Sequence, residues 1–189
     1  MAAVPRFVRS IGTAPSKMRL FPEYCVTMAR YTAWQNTQIR AAFDTLSDGE
    51  LRKDRKAFFG SLFSTANHVL WADLLWMSRF DGGAGPGVEA AQHAELTPTP
   101  AVWAGERYKT DARILRWAET LHAVDLKGTL GWFSGTLKRD MEQPIDVCIM
   151  HFFNHQTHHR GQIHAMLTAA GATAPVTDII FMPEKGPWL

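Results

Sequence analysis

Four long segments of helical period, each closed by residues that cannot continue a helix, restrict this chain of 189 residues to few folds. The first runs from about Pro22 to Leu46. Pro22 suits a first helical turn, and Tyr24, Met28, Tyr31, Ile39 and Phe43 recur at roughly helical spacing. "SDGE" at 47–50 supplies a stop and restart. The second segment, about Ser61 to Phe80, carries Leu62, Ala66, Val69, Leu70 and Met77 and ends at "DGGAGPG", 81–87. A loop with Pro98 and Pro100 precedes the third, about Gly105 to Val124, in which Tyr108, Leu115, Ala118 and Leu121 face one way. The fourth begins around Pro144 and runs to about Ala170, with Gly171 as its stop. Between the last two, "KGTLGWFSGTLKRD" at 127–140 reads as a small hairpin, and "DIIFM" at 178–182 as a short extended piece packed on the helices. The expected fold is all-α: a four-helix bundle with a small β-hairpin insertion between helices three and four.

The length suits one domain with a sizeable core, expected over residues 21–189 behind a flexible N-terminal extension, 1–20. A formal charge of +2 and no sustained basic run argue against nucleic acid as the main partner. No apolar run approaches the roughly eighteen residues of a membrane span. Cys25 and Cys148 are far apart in sequence and fit buried free thiols in a reducing cytoplasm better than a disulfide framework.

The chemistry concentrates in "HFFNHQTHHRGQIHAM", 151–166, which holds five of the eight histidines. Positions four apart on a helix differ by only about 40°, so His151, His155 and His159 form one stripe. His158 lies to one side of it and His164 points nearly opposite His155. Two imidazoles at i and i+4 can share one metal ion, with a third ligand from another helix. His68, in "TANHVLWADLLW", is the best candidate, being the histidine inside another strongly apolar bundle helix. His93 reads as a loop residue and His122 as a surface or helix-capping one. Three imidazoles leave a coordination position open and suit zinc or nickel, with iron or manganese as alternatives. Gln156 stands where a zincin protease has its glutamate, which argues against that chemistry.

The wording of "NHQTHHRGQIHAML" (154–167), "FFGSLFSTANHVLWADLLWMSRF" (58–80) and "YTAWQN" (31–36) resembles the DinB-like family of metal-binding four-helix bundles, over about residues 22–182. That family, named for DNA-damage-inducible genes, is distinct from the polymerase of similar name. The resemblance implies a histidine triad on His68, His155 and His159, with His151 and His158 in supporting roles. It implies activity with a low-molecular-weight thiol such as mycothiol or bacillithiol, of the S-transferase or isomerase type, on a small-molecule substrate. A homodimer is a further implication.

A non-catalytic metal-binding or stress-response module is the alternative reading, favoured by the lack of an identifiable carboxylate base near the triad. A purely structural bundle is the third. Among other polar residues, Gln156 and Gln162 are expected to orient a ligand or an imidazole, Asn36 and Trp34 to line a pocket or pack, and Arg160 to pair with Asp73.

Overall fold

The computed structural model describes residues 20–135 and 137–189. Of the proposed extension, 1–20, residues 1–19 lie outside the described residues, and Leu20 is buried in the core instead of belonging to it. The chain forms α1 (Pro22–Phe43), α2 (Asp48–Arg52), α3 (Leu62–Phe80), a 3-10 turn (Ala90–Glu95), α4 (Pro100–Thr120), β1 (Thr129–Ser134), β2 (Arg139–Pro144), α5 (Ile145–Ala169) and a last 3-10 turn (Ile179–Phe181). The four long helices, α1, α3, α4 and α5, make a bundle, and β1 and β2 pair as the expected antiparallel hairpin, Thr129 opposite Pro144.

Local chemistry sets the helix ends. Ser61 Oγ accepts the Ser64 amide at the start of α3, and Thr99 Oγ1 accepts the Val102 amide at the start of α4. Pro22 and Pro100 occupy first-turn positions, where a missing N–H costs nothing. At the end of α5, Gly171 takes φ +73°. The amides of Gly171 and Ala172 then reach back to the carbonyls of Thr168 and Leu167, a Schellman closure.

Details of the helix ends and of the tail differ from expectation. The third long helix begins at Pro100, five residues early, because Thr99 caps it and the proline starts the helix instead of belonging to the loop. The first ends at Phe43, and the restart after it is the short α2, capped by Ser47. The "DIIFM" tail is a 3-10 turn with Ile180 and Phe181 exposed, not an extended piece buried on the bundle. What docks the tail is the chain just before that turn: Tyr31 Oη donates to Thr177 O at 2.6 Å and Gln35 Nε2 to Val176 O at 2.6 Å.

Helix α1 packs chiefly on α4, and α3 on α5, with α3–α4 and α1–α5 contacts closing the ring. The first two long helices thus lie diagonally across the bundle. Two apolar clusters fill it. One contains Met77, Phe80, Ile114, Trp117, Ile149 and Phe152, the other Ile39, Phe43, Leu62, Leu70, Trp103 and Ile163.

A buried polar layer also joins all four helices. Arg107 Nη1 donates to Asp73 Oδ2 at 2.6 Å, and Arg107 Nη2 lies 2.8 Å from Asp111 Oδ1. Asn36 Nδ2 donates to Asp111, Gln156 Nε2 to Asp73 Oδ1 at 2.9 Å, and Thr32 Oγ1 to Gln156 Oε1 at 2.8 Å. The expected Arg160–Asp73 pair is not formed. Arg107 on the neighbouring α4 takes Asp73, and Arg160 donates to Thr32 and Thr157 and lies over the Tyr31 ring. Asn36 likewise serves this layer, and Trp34 packs against Tyr31.

The substitution Arg107→Met would leave two buried carboxylates without their cation. It is expected to lower stability by about 3–5 kcal/mol, read from urea unfolding midpoints. A loss below about 1 kcal/mol, the scale of a surface pair, would mean that the layer is not held by this charge.

Candidate metal centre

Helix α5 supplies His155 and His159 one turn apart, and α3, its main packing partner, supplies His68. Their ligand atoms lie within 4.8 Å of one another. His155 Nε2 is 3.2 Å from His68 Nε2 and 3.1 Å from His159 Nε2. These spacings are close to the roughly 3.3 Å that two nitrogens keep on a tetrahedral ion with bonds of about 2.0–2.1 Å. The structure thus brings together the three histidines that the sequence reading singled out.

The remaining ring nitrogens explain why Nε2 is the face turned inward. His159 Nδ1 donates to Gln162 Oε1 at 2.8 Å, which places the neutral ring's lone pair on Nε2. The other end of the same amide, Gln162 Nε2, donates to His158 Nε2 at 3.3 Å. His68 Nδ1 lies 3.0 Å from His93 Nδ1, and a proton on the His68 side leaves its Nε2 lone pair facing His155. With the His68 and His159 lone pairs converging on His155, a single N–H can satisfy only one of them. A shared cation satisfies all three. The donor set is nitrogen alone, which suits a divalent transition metal.

Electrostatics agree with this. Burial first, and then the neighbouring imidazoles, pull His68 and His155 down to about 3 from the ordinary 6.5. Burial also lowers His159, against the opposing bond to Gln162. All three are neutral at pH 7, the form that binds metal. The carboxylate whose charge reaches His159 is Asp73, already held by Arg107 and Gln156.

Phe59 covers the cluster, its ring centroid 4.1 Å from that of His68 and 5.4 Å from that of His159. Cys25 and Cys148 are buried free thiols that burial pushes up to about 11, so neither is a thiolate at neutral pH.

Two expectations about neighbours change. Gln162 does orient an imidazole, but Gln156 turns into the buried polar layer. His93, read as a loop residue, sits in the 3-10 turn at 90–95 and touches His68. No local pattern marks it, because its place depends on how the segment between α3 and α4 folds back. His122 is exposed, as expected, and His151 lies against Trp76, ring centroids 5.2 Å apart.

A four-helix bundle with three imidazoles converging from two neighbouring helices defines a class of helical proteins able to hold a divalent metal in the bundle. Within that class, the DinB family model matches residues 17–187, and this chain belongs to the DinB family. It is 24% identical over 157 residues to "Protein DinB" of Bacillus subtilis (strain 168), covering 82% of this chain and 91% of that one.

Two solved structures share the fold. A DinB-like protein from Bacillus cereus ATCC 10987 superposes with TM-score 0.58 at 19% identity, over 79% of this chain and 94% of its own. YfiT from Bacillus subtilis superposes with TM-score 0.58 at 13% identity, over 87% of this chain and 98% of its own. It is described as a probable metal-dependent hydrolase with an unusual four-helix bundle topology. Among the described residues, no helix is long and apolar enough to cross a membrane.

The lowered histidines make the metal-free protein pH-sensitive. The unfolded chain takes up these protons near 6.5 and the folded one only near 3. Stability is therefore full above about 6.5 and is lost progressively as pH falls below it. Urea midpoints in the presence of chelator should drop between pH 7.5 and about 5, and more steeply in the wild type than in His155→Gln. Equal slopes would show that His155 is not held neutral in the fold.

Proposed function

We propose that this protein is a divalent-metal-dependent enzyme that acts with a low-molecular-weight thiol on a small-molecule substrate, by S-transfer or isomerisation. The observation that carries the metal part is the convergence of His68, His155 and His159 through Nε2, with two of the rings held by outward partners. When bound, the metal would favour the thiolate, the reactive form of a thiol, at neutral pH. The protein's own residues supply neutral ligands, fix their ring orientation and shield one side of the cluster with Phe59. The thiol reading is supported by the pairing of Asp73. With that carboxylate held by Arg107 and Gln156, the site favours a nucleophile that needs no separate carboxylate base.

Hydrolysis is the second reading, favoured by the fold shared with YfiT. A non-catalytic metal-binding module is the outcome if neither chemistry is found.

Metal analysis of the native protein should find zinc or nickel in stoichiometric amount. His68→Ala, His155→Ala and His159→Ala should each lose it. Full metal retention in the single variants would overturn the triad. Consumption of free thiol in the presence of an electrophile, with glutathione, cysteine, mycothiol and bacillithiol in turn, tests the reaction. Metal-dependent ester hydrolysis without thiol would select the second reading, and no turnover with either would select the module.

A homodimer is proposed as well, supported by exposed Phe21, Tyr24 and Met150 around one groove of about 640 Å³. Sedimentation equilibrium should give twice the chain mass, and Met150→Glu should shift it towards the monomer. A wild-type monomer at micromolar concentration would refute it.

A further inference from the structure

Arg79, on α3, has neither an ion pair nor a hydrogen bond among the described residues, although it is half-buried. Its guanidinium carbon lies 4.5 Å from the ring centroid of Trp76 and 5.2 Å from that of Trp132 on β1. The Cys148 thiol nearby, pushed up to about 11 chiefly by burial, is neutral and gives no counter-charge. Burial pulls Arg79 down to about 10, so the group is still a cation at neutral pH.

Arg79 forms one wall of a cavity of about 500 Å³ lined also by Trp71, Leu75, Val88, Trp132 and Phe133. That volume is in the range of small-molecule sites, whose usual make-up is an apolar lining with a few placed polar groups, here Arg79 and Glu89. Glu89, at the same cavity, is exposed to solvent. Trp71 Nε1 donates to Val88 O at 3.3 Å, which fixes the loop wall against α3.

The cavity lies on the face of α3 that carries His68. Arg79 is eleven positions after His68, which is about 16.5 Å along the axis and returns to within about 20° of the same direction. A run of packed rings lies between the two places: the ring centroids of His155 and His151 are 5.7 Å apart, those of His151 and Trp76 are 5.2 Å apart, and Arg79 lies over Trp76.

We propose that this cavity binds the carboxylate end of an elongated organic acid, its apolar body against Trp71 and Trp132 and its charge on Arg79. The ligand is a carboxylate and not a phosphate, because Arg79 is the one cationic side chain among the described residues lining the cavity. A single planar guanidinium matches a monoanion in a two-point bond, whereas a phosphate dianion calls for further donors. The corollary, that the other end of this acid reaches the histidines as substrate, rests on the metal-enzyme reading. Carboxylate binding itself does not.

Calorimetric titration of metal-stripped protein with phenylpropionate and its neutral amide, phenylpropionamide, tests the proposal. The acid should bind saturably and about tenfold or more tighter than the amide. Arg79→Gln should bring the acid down to the amide's affinity, and Arg79→Lys should fall between. Equal affinity of acid and amide for the wild type overturns the proposal without recourse to any variant. So does an unchanged acid affinity in Arg79→Gln, or no saturable acid binding up to about 10 mM. Because the protein is metal-free in this experiment, failure here leaves the triad untouched, and failure of the metal analysis leaves this result standing.

Discussion

The rest of the structure depends on a buried guanidinium. Arg107 is nearly inaccessible and stands between Asp73 and Asp111, both equally buried. A charge in that position needs close counter-charges, and the two here come from different helices, with Nη1 making the one hydrogen bond and Nη2 only a close ion pair. Asp73 is on α3 and receives Gln156 of α5, and Asp111 on α4 receives Asn36 of α1. The layer links all four helices at one level and so adds a polar constraint on their axial register to that of the two apolar clusters around it.

That register decides what the histidines can do. Gln156 points inward to Asp73, and His155 and His159 lie about 100° and 60° from it, both to the same side, towards α3. Turning Gln156 into the polar layer thus turns the histidine pair onto His68. The same bonds occupy both oxygens of Asp73, so the nearby carboxylate is already paired within the layer. Desolvation then keeps the imidazoles neutral. The polar layer and the histidine cluster are neighbours with separate duties, one holding charges that must stay paired and the other holding lone pairs that share no proton well.

The parts legible in the sequence were those set by local period. The i,i+4 spacing of His155 and His159 guarantees their proximity on any helix, and breakers such as "DGGAGPG" and Gly171 mark real ends. His68 was legible because an apolar helix rarely carries an isolated imidazole. What could not be read were relations set by helix order around the bundle. With α3 packed on both α4 and α5, Asp73 had a choice of cations, and Arg107 took the place expected of Arg160. His93 is the stronger example. It lies twenty-five positions from His68, in a segment of glycine and proline, and only the folded loop brings it to His68 Nδ1. The early start of α4 has a local cause, since Thr99 followed by Pro100 is a capping pair.

The loop that carries His93 also ties the site to the rest of the molecule. Arg113 of α4 grips Asp81 through two bonds and the Ala84 carbonyl through a third, at the point where α3 gives way to the loop. Further along, Asn67 and Thr97 bond each other through side chain and backbone, one residue before His68 on the helix and four after His93 on the loop. Both ends of the excursion are therefore anchored on α3 and α4. Trp71 holds its middle through Val88, and the imidazole of His93 is delivered to His68 on a fixed scaffold. A ligand ring whose outer nitrogen is held this way loses little freedom on binding a metal. The same loop, through Val88, forms a wall of the Arg79 cavity. One segment without long secondary structure thus shapes both the back of the histidine cluster and the side of the pocket beyond it, and any change in its path would be felt at both.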